Sequence, residues 1–130
     1  TLRSVINDDQ IWFEILKEFM IENAKGFVNT NDFFKKVYDK TGNDYWYFAQ
    51  QYFYSPNQPQ LEYYQTDNKF FYKWNNVNDN FIMPLDLLVN GNEIRVTPSQ
   101  YFQSFEIEKH SQIEVMDWKF YVNPKEVKFN

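Results

Sequence analysis

The stretch from Phe27 to Tyr64, FVNTNDFFKKVYDKTGNDYWYFAQQYFYSPNQPQLEYY, changes its hydrophobic period in mid-course, and this constrains the fold more than any other feature of the chain. As far as Tyr54 the apolar residues fall at helical spacing; after Pro59, Leu61, Tyr63 and Gln65 alternate with Glu62, Tyr64 and Thr66. Side chains on one helix face recur every three to four residues, those on one sheet face every two. The chain therefore passes from helices to strands here, and Ser55-Pro56 and Pro59 punctuate the passage.

Upstream, Trp12, Ile15, Leu16, Phe19 and Met20 define one face of a helix from Asp8 to about Asn23, with Asp8 or Asp9 as cap. Leu2, Val5 and Ile6 read as the tail of an earlier helix ended by Asn7, which tolerates a left-handed backbone. The next helix is expected over Thr30–Thr41, with Thr30 as N-cap and Gly42 as stop. A further one runs from Asp44 to just before Ser55-Pro56, carried by Tyr45, Phe48, Ala49, Tyr52 and Phe53.

Downstream, Lys69–Trp74 pairs with the strand from Leu61 across a Thr66-Asp67-Asn68 turn. Phe81–Val89 and Glu93–Val96 flank Asn90-Gly91, a hairpin signal because both turn residues accept positive φ. Tyr101–Glu108, Gln112–Val115, Lys119–Val122 and Val127–Phe129 supply the remaining short strands. The expected fold class is α+β: about three N-terminal helices over residues 1–57, then a small antiparallel β-sandwich over 58–130.

The core of such a fold rests on rings. Of 130 residues 22% are aromatic, with 14 Phe, 10 Tyr and 4 Trp, enough large side chains to build a core in a short chain. The absence of cysteine rules out disulfides and thiolate metal sites. A net charge of −5, with no basic run beyond Lys35-Lys36, argues against nucleic acid, whose affinity comes largely from phosphate neutralisation. The longest apolar run, Phe81–Val89, is interrupted by Pro84 and Asp86 and is too short to span a membrane. The sequence reads as soluble and leaves the compartment open.

Catalytic constellations are hard to assemble from these residues. The one histidine, His110, cannot form a His-Glu-x-x-His zinc site or a distinguishable triad, and reads as a residue of a solvent-facing turn. Asp8-Asp9 reads as a cap. Asn76-x-Asn78-x-Asn80 resembles the start of a calcium loop but has Phe81 where glycine is needed and Leu87 where the bidentate Glu belongs. Glu62, Glu106, Glu108 and Glu114 alternate with apolar neighbours as on solvated sheet faces. Three glycines, none clustered, exclude a phosphate-binding loop. No catalytic, cofactor-binding or metal-binding residue is assigned.

The aromatic surplus allows two readings. Phe70, Phe71, Tyr72 and Trp74 could form a platform for glycan or protein in a free-standing binding module. Alternatively, alternate rings face the core while the others face a neighbouring domain, which is the preferred reading.

The seam also carries a resemblance. Thr30-Asn31-Asp32-Phe33-Phe34 with Thr41-Gly42-Asn43-Asp44 resembles the helix pair that closes the catalytic domain of aminopeptidase N-type zinc metallopeptidases. Tyr45-Trp46-Tyr47-Phe48-Ala49-Gln50-Gln51-Tyr52-Phe53-Tyr54 is similar to that family's L-x-x-F-F-D-Q-W-L/F-Y. It differs in Ala49 for the second Phe, Gln50 for Asp and Tyr52 for Trp. Pro56 to Tyr63 resembles its lead into a β-sandwich, Leu2-Arg3 with Asn7 to Leu16 is similar to its L-R…G-D-x-x-(F/W)-x-x-x-L, and Asp117 to Tyr121 resembles a closing strand of bacterial members.

The resemblance implies a non-catalytic C-terminal part of such a peptidase, supporting its catalytic domain. Zinc, its ligands, the glutamate base and the transition-state tyrosine would all belong to the parent protein, ahead of the point corresponding to Thr1. The implied partner is the rest of the parent chain. A homodimer through an open helical face at Leu2, Val5, Ile6, Trp12 and Phe19 is a further expectation.

Overall fold

The computed structural model describes residues 1–22 and 29–128. Four helices precede seven strands: α1 (Leu2–Ile6), α2 (Asp9–Glu22), α3 (Thr30–Thr41) and α4 (Trp46–Tyr52), then β1 (Gln60–Gln65), β2 (Lys69–Asn75), β3 (Leu85–Val89), β4 (Asn92–Val96), β5 (Gln103–Glu106), β6 (Ile113–Val115) and β7 (Asn123–Glu126). The architecture is α+β, with the helices beside a small β-sandwich.

Local chemistry sets the helix ends. Asn7 stops α1 at φ 58°, its N–H donating to the Arg3 carbonyl. Asp8 Oδ1 then accepts from Ile11 N at 3.1 Å and caps α2, leaving Asp9 to pair with Arg3. The expected end of α2 at Asn23 lies outside the described residues. The N-cap of α3 is Asn29 rather than Thr30: Asn29 Oδ1 accepts from Asp32 N at 2.9 Å, the three-residue reach a cap needs. Gly42 ends α3 at φ 74°, as its position demanded.

Helix α4 is shorter than expected. Asp44 Oδ1 accepts from Trp46 N at 2.8 Å at its start. At its end, wholly buried Gln51 donates from Nε2 to the Asn57 carbonyl at 2.9 Å and accepts from Asn78 N at 2.6 Å. Those bonds hold the chain as it turns towards β1 before Pro56 is reached.

The strands form two sheets, ordered β5-β2-β1-β7 and β4-β3-β6. Asn90 and Gly91, at φ 50° and 84°, join β3 to β4 as their dipeptide signalled. Among the described residues every strand pair but one is antiparallel; β7 runs parallel to β1. The C-terminal strands differ from expectation. Residues 119–122 are turn and loop rather than strand, and β7 covers Asn123–Glu126 instead of starting at Val127. Phe120 and Val122 are drawn into the core, which brings Asn123 N within 2.9 Å of the Pro59 carbonyl and starts the parallel pairing there. Pro124 is tolerated because β7 is an edge strand.

One buried cluster crosses residue 57. It contains Leu2, Val5, Phe34 and Phe48 from the helices, Leu61, Phe70 and Trp74 from the larger sheet, and Leu85, Leu87 and Val115 from the smaller. Along α2, Ile15 is buried and Trp12 and Phe19 meet Phe33 edge-on at 6.3 and 5.3 Å, but Met20 is 70% exposed. The helical face expected to lie open is therefore largely closed: Leu2 and Val5 are buried, and Ile6 and Trp12 pack against the cluster. The large apolar side chains that α2 exposes are Phe13, Met20 and Ile21.

Candidate functional site

Two constellations stand out, and both involve the smaller sheet. Asp86 on β3 and Arg95 on β4 are cross-strand partners, and Arg95 grips the Asp86 carboxylate with two N–H donors at 2.8 and 3.2 Å. Two further donors of the guanidinium reach α1, Nη1 to the Val5 carbonyl at 2.9 Å and Nη2 to the Ser4 carbonyl at 2.7 Å. These are carbonyls near a helix C-terminus, where a cation is favoured. Asp86 is only 7% exposed, and this planar fork is its ion-pair partner. The result is a clamp between the first helix and the sandwich.

Beside the clamp lies a polar pocket of about 460 Å³, whose lining includes Arg3, Asn7 and Asp9 from the α1–α2 corner, Asp86 from β3, and Trp118 and Lys119 from the turn after β6. The turn is tied down by Asp117 N to the Val115 carbonyl and Lys119 N to the Met116 carbonyl, at 2.8 and 3.1 Å. Just beyond it, Tyr121 N donates to Thr1 Oγ1 at 2.9 Å. The Arg3 guanidinium holds the Asp9 carboxyl below its ordinary range through a 2.9 Å hydrogen bond.

The residues weighed from sequence occupy other places. His110 is exposed in the turn between β5 and β6, at φ 66°. The Asn76–Asn80 loop binds protein instead of presenting ligands: Asn76 Nδ2 donates to the Gln58 carbonyl at 3.0 Å, Asn78 N to Gln51, and Asn80 Nδ2 to Gln50 Oε1. Glu62 accepts from Asn75 Nδ2 at 2.8 Å on the outer face of the larger sheet. Glu106, Glu108 and Glu114 are exposed. Among the described residues no three of His, Cys, Asp and Glu lie together as ligands for a metal ion.

The alternative reading, an aromatic platform of Phe70, Phe71, Tyr72 and Trp74, does not form a surface. Phe70, Tyr72 and Trp74 point into the core, at 0, 8 and 1% exposure, and the Trp74 indole donates to the Met83 carbonyl at 3.2 Å. Phe71 alone of the four turns outward, where it stacks on Tyr64 at 4.5 Å. Alternation showed that the rings divide between two faces but not which face is covered. The polar pocket has one local signal in the sequence, Trp118 set between Asp117 and Lys119.

Burial raises the hydroxyl pKa of Tyr47 and Tyr52 well above the ordinary value of 10.0, with neighbouring tyrosines adding to it. Tyr52 Oη donates to the Tyr121 carbonyl at 2.8 Å, another tie between the helices and the end of the sandwich. No helix among the described residues is long and apolar enough to cross a membrane. No family model matches the chain, and no curated protein matches it.

Proposed function

We propose that this chain is the non-catalytic C-terminal part of an aminopeptidase N-type zinc metallopeptidase, in which the helices complete the catalytic domain and the sandwich braces it. The reading rests on the sequence resemblance at the helix–strand seam. The structural observation that supports it is the clamp: Arg95 holds the carbonyls of Ser4 and Val5 and the carboxylate of Asp86 in one hydrogen-bonded unit. A support piece has to transmit position without yielding, and a planar cation with four fixed bonds across two elements does so. Peptide hydrolysis and zinc belong to the parent protein in this reading, and the partner is the remainder of that chain.

Phe13, Met20 and Ile21, all more than half exposed on α2, are the apolar side chains offered to that remainder. In the isolated chain the same residues are the route to a homodimer. A clean monomer in sedimentation at high micromolar concentration would contradict that part of the proposal.

The reading frame upstream of Thr1 tests the whole. We expect His-Glu-x-x-His followed by a more distant Glu; a frame without that set contradicts a zinc peptidase parent.

A further inference from the structure

We propose that the polar pocket beside the clamp binds a neutral saccharide, with Trp118 as its stacking surface. This goes beyond the peptidase reading and does not depend on it. Of the four tryptophans, Trp12, Trp46 and Trp74 each have an aromatic partner. Trp118 has none among the described residues and is 57% exposed at the pocket. An exposed ring carries negative charge density on its face, which suits the weakly positive C–H groups on the apolar side of a pyranose.

The charged side chains around the ring select against a charged ligand. Each ionised side chain lining the pocket already has an opposite partner, Arg3 with Asp9 at 2.9 Å, Asp86 with Arg95 at 2.8 Å and Lys119 with Glu93 at 3.4 Å, and burial lowers the pKa of the Thr1 α-amino group that also lines it, favouring its neutral form. A carboxylate or ammonium ligand would have to compete with these pairs. Hydroxyls need not, because a paired carboxylate keeps free lone pairs and a paired Arg or Lys keeps free N–H donors. The side-chain amide of Asn7 makes no hydrogen bond among the described residues and supplies one further donor and acceptor at the same pocket. A volume of about 460 Å³ lies in the usual range for small-ligand sites and leaves room for one or two sugar rings.

The site is also held in place. The Asp86 carboxylate is fixed by the Arg95 fork, and the Trp118 turn by its own backbone bonds and the Tyr121–Thr1 tie. Preorganisation of this kind lowers the entropic cost of binding.

The test is a titration of the 130-residue chain, followed by two-dimensional ¹H–¹⁵N NMR, with glucose, galactose, mannose, N-acetylglucosamine and cellobiose. Glucuronate and glucosamine serve as the acidic and cationic counterparts. At least one neutral sugar is expected to move both the Trp118 indole N–H and the Asn7 amide resonances, and the charged sugars to bind about tenfold more weakly or worse. Trp118→Ala should lower the affinity by about tenfold or more, Trp118→Tyr should retain most of it, and neither should move the urea midpoint. The site is refuted if no neutral sugar moves the two resonances, if a charged sugar binds as well as a neutral one, or if Trp118→Ala binds like the parent sequence. Failure here leaves the peptidase reading standing, since that is decided by the upstream reading frame.

Discussion

The guanidinium of Arg95 lies 2.9 Å from the main-chain oxygen of Val5, a residue ninety positions earlier in the chain. Few single contacts bind the helical part to the sandwich so directly. Arg95→Met removes the fork and leaves the buried Asp86 carboxylate unpaired, so urea unfolding should show a loss of about 2–4 kcal/mol. Arg95→Lys should recover only part of it, because an ammonium cannot grip the carboxylate bidentately while reaching two carbonyls. Adding Asp86→Leu to Arg95→Met should restore some stability. A Met variant as stable as the parent sequence would show that the clamp contributes nothing.

Two tryptophans separate the core from the surface. Trp74 fills the centre of the sandwich at 1% exposure, and its truncation to Ala should cost about 3–5 kcal/mol. Trp118→Ala should stay within about 0.5 kcal/mol of the parent sequence. Urea midpoints of the two variants measure this directly, and similar losses at both positions would contradict the assigned faces.

Gly42 isolates a pure backbone effect. Its φ is +74°, yet a Cβ built there would meet nothing within 4 Å. Gly42→Ala should therefore destabilise by about 1–2 kcal/mol through the left-handed conformation alone. Gly42→Asn should lose less, since Asn tolerates that region. Equal losses for the two variants would point to a cause other than φ.

The buried tyrosines make stability fall in alkali. Burial raises the pKa of Tyr47 and Tyr52 above 10.0, so the folded chain keeps protons that the unfolded chain releases. Their contribution is fully present below pH 10.0 and declines as pH rises past it, by up to about 1.4 kcal/mol per pH unit for each tyrosine. Tyr52→Phe should flatten this slope while costing the bond to the Tyr121 carbonyl at every pH. Urea midpoints across the alkaline range provide the check, and an unchanged slope in the Phe variant would contradict the assignment.

What the sequence disclosed follows from how local each determinant is. Asn7, Gly42 and Asn90-Gly91 were legible because each acts through its own φ. The stripe on α2 was legible up to Phe19, but Met20 shows that periodicity marks a face without marking where the neighbouring helix stops covering it. Strand β7 was hidden because Asn-Pro-Lys-Glu has the composition of a turn, and its place is set by Phe120 and Val122 together with the free edge of β1. The clamp was hidden too, since two of the bonds made by Arg95 go to main-chain oxygens that no side chain advertises. The pocket needed three distant segments to meet before Trp118 had a context.

The central proposal is that these residues brace a zinc peptidase without catalysing. Its most direct measurement is hydrolysis of an aminoacyl p-nitroanilide by the full-length parent and by the 130-residue chain alone, each with and without a zinc chelator. The account predicts chelator-sensitive hydrolysis by the parent, none by the isolated chain, and a loss of the parent's thermal stability on Arg95→Met. Hydrolysis by the isolated chain, or a full-length parent with neither zinc nor peptidase activity, would contradict it.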